Sequence, residues 1–218
     1  MRIQTHIITT IPVFEVKEPL EKLVQFFMEN TYSHVAIMNE GQFLGVFSEN
    51  DLEHFSVDKK IEDFKYNLES FFVRKDTSWF DVLEAFARNE ANLVPVLGDK
   101  NEVLGYYDIT DIVGVFIEMP FFTEPGGILV IAKEIKGYSF SEIVQIVESN
   151  NSKFIGGFIS EMNNEEVQIT IKISGNNMTE VLQTFRRYDY NIIFGNVDDR
   201  FIDDLKQRSD YLDKYLNV

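Results

Sequence analysis

Apolar residues recur at helical spacing at Leu20, Leu23, Val24 and Phe27, and the stripe returns about 59 residues later as Trp79, Val82, Leu83 and Phe86. Each stripe leads into a short β-type run, Val35–Met38 and Leu93–Leu97. Turn-forming residues follow, Asn39-Glu40-Gly41-Gln42 and Gly98-Asp99-Lys100-Asn101, and then a second run, Phe43–Phe47 and Val103–Tyr107. Pro19 suits the opening of the first helix, which is expected to reach about Asn30, and its counterpart runs from about Thr77 to Asn89. Ser48 is placed to cap a helix over Glu49–Phe55, and another begins at Ile109. The pattern therefore predicts helix, strand, turn, strand, helix, written twice within residues 16–113. A repeat of this size cannot bury its apolar face alone, so the two copies are expected to pack on each other.

Beyond Met119-Pro120 the periodicity changes. Pro120, Pro125, Gly126 and Gly127 punctuate a junction over 119–127, whose Phe121 and Phe122 suggest a packed linker. Strand signals lie at Ile128–Lys133, Lys153–Glu161, Val167–Ile173 and Asn191–Phe194, with helices from Ser139 to about Glu148 and from Met178 to Tyr188. That order, strand, helix, strand, strand, helix, strand, predicts a ferredoxin-like sandwich over 128–195. A last stretch, Asp198–Leu216 within 196–218, places Phe201, Leu205, Leu212 and Tyr215 near one face of an amphipathic helix. The fold class is α+β.

Composition narrows the chemistry. With 36 Asp and Glu against 20 Lys and Arg the formal charge is -16, which disfavours nucleic acid and anionic membrane surfaces as partners. No cysteine is present, which removes disulfides, thiolate zinc sites and cysteine nucleophiles, and His6, His34 and His54 have no metal-ligand spacing. They read as surface or packing residues, and no metal site is expected. No segment approaches the roughly 20 apolar residues of a membrane span, and a cytoplasmic location is the expectation. No Ser-His-Asp set, paired carboxylates, lysine nucleophile or phosphate-cradling GxxxxGK appears, so no catalytic residue is assigned.

The candidate chemistry lies where a strand ends and a helix opens, at Gly45-Val46-Phe47-Ser48-Glu49-Asn50-Asp51. Free backbone N–H groups meet an anion at such a place. Gly45 would let a ligand lie close to the main chain, Ser48 could bond a phosphate, and Asp51 could accept both ribose hydroxyls. The alternative is that Gly45 relieves strand crowding, Ser48 is an ordinary cap and Asp51 favours the helix dipole. The motif recurs as Gly105-Tyr106-Tyr107-Asp108-Ile109-Thr110-Asp111. Taken with Val94-Pro95-Val96 and Thr9-Thr10-Ile11-Pro12-Val13, the arrangement resembles the CBS domain family, whose tandem pairs are called Bateman modules. The resemblance spans most of residues 1–118, with a first motif in 1–57 and a second in 58–118.

That resemblance implies an adenosyl ligand, AMP, ATP or S-adenosylmethionine, and no other cofactor. It implies a first site of Thr10, Ile11, Pro12, Gly45, Phe47, Ser48 and Asp51. A second, weaker site comprises Gly105, Tyr107, Asp108, Thr110 and Asp111, where the Asp108 carboxylate would repel phosphate. The second half, with Lys136, Gly137 and Tyr138 in its first strand-to-helix loop, resembles an ACT domain, which implies an amino-acid-like ligand at that loop and pairing of subunits. The combined order is similar to acetoin-utilisation-type regulatory proteins. The reading is a non-catalytic sensor, expected as a homodimer acting on an unknown protein target. A structural adaptor with vestigial sites and an enzyme are its alternatives.

Overall fold

The computed structural model describes residues 3–54, 59–175 and 177–195, the side chains of Glu53 and His54 apart. The chain divides into two compact units, Met1–Glu118 and Met119–Val218. The amphipathic helix expected over Asp198–Leu216 lies outside the described residues, as does Phe55.

In the first unit, β1 (Phe14–Glu15), α1 (Leu20–Glu29), β2 (His34–Asn39) and β3 (Gln42–Ser48) form the first copy. The second comprises β4 (Val73–Arg74), α2 (Trp79–Arg88), β5 (Leu93–Leu97), β6 (Val103–Asp108) and α3 (Ile109–Ile117). Each makes a three-stranded sheet, β1-β2-β3 and β4-β5-β6, with its first strand parallel and its second pair antiparallel. The β2–β3 turn is tight because Glu40 and Gly41 both take positive φ, 53° and 79°, the geometry of a two-residue hairpin. The apolar stripes do what their spacing demands: Leu20, Leu23 and Phe27 are buried along α1, and Val82 and Phe86 along α2. Ser78 caps α2 by accepting the Asp81 N–H at 3.3 Å.

Two expectations change. The segment after Ser48 is a six-residue 3-10 turn, Glu49–His54, rather than an α-helix, and no described residue bonds the Ser48 hydroxyl, so it caps nothing. The two-residue strands β1 and β4 are too short to show alternation and leave no periodic signal in the sequence. A second 3-10 segment, Ile61–Asn67, with Ile61 and Phe64 buried, joins the copies.

The copies exchange core residues. Period-two alternation along β3 sends Phe47 into the first core, beside Leu20, Leu23 and Ile37, and Val46 into the second, beside Val82, Phe86 and Val94. Along β6 the equivalent step sends Tyr107 into its own core and Tyr106 into the first. Backbone pairing is exchanged too. Val46 and Glu69 trade N–H···O bonds of 2.9 and 3.0 Å, and Ile8 and Tyr106 trade bonds of 2.8 and 3.0 Å. The segment entering each copy is thus stitched to the last strand of the other.

The second unit opens with a short helix, α4 (Pro120–Thr123), where the sequence predicts a linker. Then come β7 (Gly127–Glu134), α5 (Phe140–Ser149), β8 (Lys153–Met162), β9 (Glu166–Ser174), α6 (Met178–Arg187) and β10 (Asn191–Gly195). Its sheet order, β10-β7-β9-β8, all antiparallel, is that of a ferredoxin-like sandwich. Leu129, Ile131, Ile169 and Ile171 on one sheet face meet Ile143 and Val147 of α5 and Leu182 and Phe185 of α6.

Candidate ligand site

Alternation along β3 returns Ser48 to the side of Val46, where it stands opposite His34 of β2 in register. Both are buried, each 4% exposed. The 3-10 turn then brings Asp51 back, half-buried, with Glu49 beside it in the same first turn. His34 is the residue that sequence reasoning undervalues. Its Nδ1 lies 2.8 Å from Ser33 Oγ, its Nε2 3.4 Å from Glu69 Oε1, and its ring meets the Phe71 ring edge-on at 5.1 Å. Ser33 and Asn92, equivalent positions of the two copies, bond reciprocally. The Ser33 N–H donates to Asn92 Oδ1 at 2.8 Å, and the Asn92 N–H donates to Ser33 Oγ at 2.9 Å. The repeat alignment pairs these two residues in sequence and so contains that contact; Glu69 leaves no such signal.

Burial pushes the His34 imidazole below its ordinary value of 6.5, against the opposing pull of the Glu69 and Asp51 carboxylates. The folded state therefore holds the ring neutral where the unfolded chain would protonate it. This contribution to stability is complete above pH 6.5 and is lost as pH falls through that value towards the folded pKa. Between about pH 7.5 and 5.5 the urea midpoint is expected to drop further for the parent protein than for His34→Gln, a window lying above the range where carboxylates titrate. Parallel midpoints for the two proteins would contradict this.

A Cβ at Gly45 would sit 2.7 Å from the Glu69 carbonyl oxygen and 3.0 Å from Leu68 Cβ, so the glycine admits a neighbouring stretch of this chain. Thr10, Ile11 and Pro12 belong to a segment that Tyr106 of the second copy holds. The segment is bridged through Ile8 to Tyr106, and the Pro12 carbonyl accepts the Tyr106 phenol at 2.8 Å. It is thereby fastened to the second motif's strand, while Glu69 takes the equivalent place beside Val46 of the first. Ile11 is buried with Phe47 in the first core, and Thr10 and Pro12 are exposed.

In the second motif, Gly105 has φ +147° and a Cβ would fall 2.4 Å from the Ile8 carbonyl oxygen. Asp108 is the N-cap of α3, its Oδ1 accepting the Thr110 N–H at 2.7 Å. The carboxylate that breaks the motif thus has a helix to hold. Thr110 and Asp111 are exposed, and Tyr107 is wholly buried with a hydroxyl that has no partner among the described residues. Burial raises the pKa of that phenol.

In the second unit, Lys136 and Gly137 are exposed and Tyr138 leans on the core. Gly137 closes a turn by donating its N–H to the Glu134 carbonyl at 2.8 Å, and a Cβ there would make only ordinary contacts, the nearest at 3.4 Å. The charged group nearby that is held in place is Lys133, which bonds Glu142 at 2.8 Å and lies 4.3 Å from the Tyr190 ring centroid. That ammonium holds the Glu142 carboxyl below its usual range.

Among the described residues no group of three His, Cys, Asp or Glu is placed to hold a metal ion, and no helix is long and apolar enough to cross a membrane. Two intertwined copies, each ending a buried strand at an acidic motif, form one paired unit, and a ferredoxin-like domain follows it in the sequence. The chain belongs to the CBS domain family, whose model matches residues 5–58 and 63–118. Similar solved structures include a CBS domain pair/ACT domain protein from Thermotoga maritima (17% identity, 54% of this chain and 98% of that chain, TM-score 0.49). The CBS domains of a transcriptional regulator from Streptococcus pneumoniae are also similar (15%, 52% and 98%, TM-score 0.47). So is the CBS domain of a bacterial CNNM/CorC family Mg2+ transporter in complex with ATP (16%, 53% and 87%, TM-score 0.43). No curated relative matches the sequence.

Proposed function

We propose that this chain is a non-catalytic regulatory sensor whose CBS pair binds an adenosyl compound at the first motif and passes its occupancy on as a change of shape. In this reading Asp51 accepts the ribose hydroxyls, Ser48 offers its hydroxyl, and Phe71 gives the base an apolar wall. The observation that carries the reading is the exchange between copies. A ligand at Ser48 and Asp51 would press on Glu69 and Phe71, and these lead directly into β4 of the second copy. Binding at one motif thereby has a mechanical path to the other, and coupling of this kind requires only that the two arrangements bind the ligand unequally. The second site, around Tyr107, Asp108, Thr110 and Asp111, is the weaker one because Asp108 is committed to its helix.

The ferredoxin-like domain, read as ACT-type, would add a second small-molecule site near Lys136, Gly137 and Tyr138 and a face for pairing two chains. A homodimer in the cytoplasm, acting on another protein, completes the proposal. Its test is ligand-dependent melting and calorimetry with adenosine, AMP, ATP and S-adenosylmethionine on the parent, Asp51→Ala and Asp111→Ala. Loss of a charge-assisted bond to ribose, about 1.5–3 kcal/mol, predicts roughly ten- to a hundredfold weaker binding for Asp51→Ala and a smaller change for Asp111→Ala. Equal losses would refute the ranking of the sites. An unshifted melting curve with every compound would refute sensing and leave an adaptor, and turnover of any of them would make the protein an enzyme.

A further inference from the structure

Resting on the first-motif reading above, we infer that this site selects an adenosyl ligand with a neutral or cationic 5′ substituent and rejects 5′-phosphates. The charged groups that reach His34, the strand partner of Ser48, are carboxylates. Glu69 reaches in from the crossing segment to within 3.4 Å of His34 Nε2. Asp51 lies close enough for its charge to act on the same ring, and Glu49 shares its turn. Among the described residues His34 is the one group there that could become a cation, and burial favours its neutral form.

Among the described residues, the features that hold phosphate elsewhere are missing from this place. The turn after Ser48 is a short 3-10 segment, so it lacks the aligned dipole of a long helix. The main chain at Gly45 is already covered by the Glu69 carbonyl. Among the described residues no lysine or arginine bonds Ser48, His34, Asp51 or Glu69. Three cations of this unit are engaged elsewhere: Lys60 with Glu62, Arg74 with the Gly98 carbonyl and Asn101, and Arg88 with Glu84. A phosphate would meet at least two carboxylates in a partly desolvated setting, where like charge is screened far less than in water. An ammonium or sulfonium would meet the same carboxylates as partners, and a bare nucleoside would avoid the conflict. In this reading the ribose contact that draws the ligand in and the repulsion that sorts ligands both come from the carboxylates that act on His34, those of Asp51 and Glu69.

The experiment is calorimetry of the full chain at pH 7.5 with adenosine, S-adenosylmethionine, AMP and ATP, each with and without Mg2+, on the parent and Glu69→Gln. Glu69 is half-exposed and its sheet bonds are made by its backbone, so the substitution leaves the fold intact. For the parent, adenosine and S-adenosylmethionine are expected to bind at least ~10-fold more tightly than AMP or ATP. Glu69→Gln is expected to strengthen AMP several-fold and weaken S-adenosylmethionine. AMP or ATP binding the parent as tightly as adenosine, with or without Mg2+, would overturn the inference while leaving the adenosyl site standing. So would a Glu69→Gln protein with unchanged ratios. Absence of binding by all four would overturn both the site and its selectivity.

Discussion

Truncating Tyr106 to alanine is expected to remove about 3–5 kcal/mol of stability from the CBS pair, a large part of the roughly 5–15 kcal/mol that holds a domain together. The side chain is wholly buried and belongs to the second copy by sequence but to the first by packing, where it lies with Leu23, Ala36, Ile37 and Phe47. Its phenol also fastens two segments of the first copy. It accepts the Ala36 N–H at 3.0 Å and donates to the Pro12 carbonyl at 2.8 Å. Alanine would leave both a cavity and two backbone groups without partners. Phenylalanine keeps the volume and loses only the bonds, so Tyr106→Phe is expected to cost about 1–3 kcal/mol. Urea denaturation of the three proteins measures both. A loss below about 1 kcal/mol for the alanine variant would mean that the exchange of side chains between copies contributes little to the fold.

How much of the structure is legible in the sequence depends on whether the responsible contact is local. The α1 and α2 stripes, the Glu40-Gly41 turn and the strand order of the second unit follow from periodicity and turn chemistry, because each is settled by neighbours in sequence. The crossing of Ile8 onto β6 and of Glu69 onto β3 does not, since it joins segments far apart along the chain through backbone bonds, whose trace in the sequence is only the glycine at each crossing. That is why the packing contact at Gly45 and the tie of the Thr10 to Pro12 segment to Tyr106 emerge only in the structure. His34 is discounted on sequence because a lone histidine before a strand is usually a packing residue. Register against Ser48 and the approach of Glu69 are what give it chemical significance. Asp108 stands out as a departure from the motif, but its role as the cap of α3 needs the geometry of the Thr110 N–H.

The same crossing makes Gly105→Val the other substitution of large expected effect. A Cβ at Gly105 would lie 2.4 Å from the Ile8 carbonyl oxygen and 2.7 Å from Ile7 Cγ2, and the residue has φ +147°. Valine adds overpacking, about 1–3 kcal/mol, to backbone strain of about 1–3 kcal/mol. The nearest atom is main chain, so relief requires Ile8 to move and its two bonds with Tyr106 to break. Release of Ile8 also slackens the path to Pro12, so the damage is expected to spread into the first core and lower the cooperativity of unfolding. Gly45→Val meets the Glu69 carbonyl at 2.7 Å, and is expected to cost less because that contact is a few tenths of an ångström longer. Gly114 supplies the contrast: it lies within α3, no neighbour comes within 4 Å of the place a methyl group would take, and Gly114→Ala is expected to stabilise by about 0.5–1 kcal/mol. Denaturation midpoints falling in the order Gly114→Ala, parent, Gly45→Val, Gly105→Val would tie the cost to the crossing segments. Equal losses at Gly45 and Gly105, or a tolerated Gly105→Val, would show that the crossing backbone yields more readily than its bonds imply.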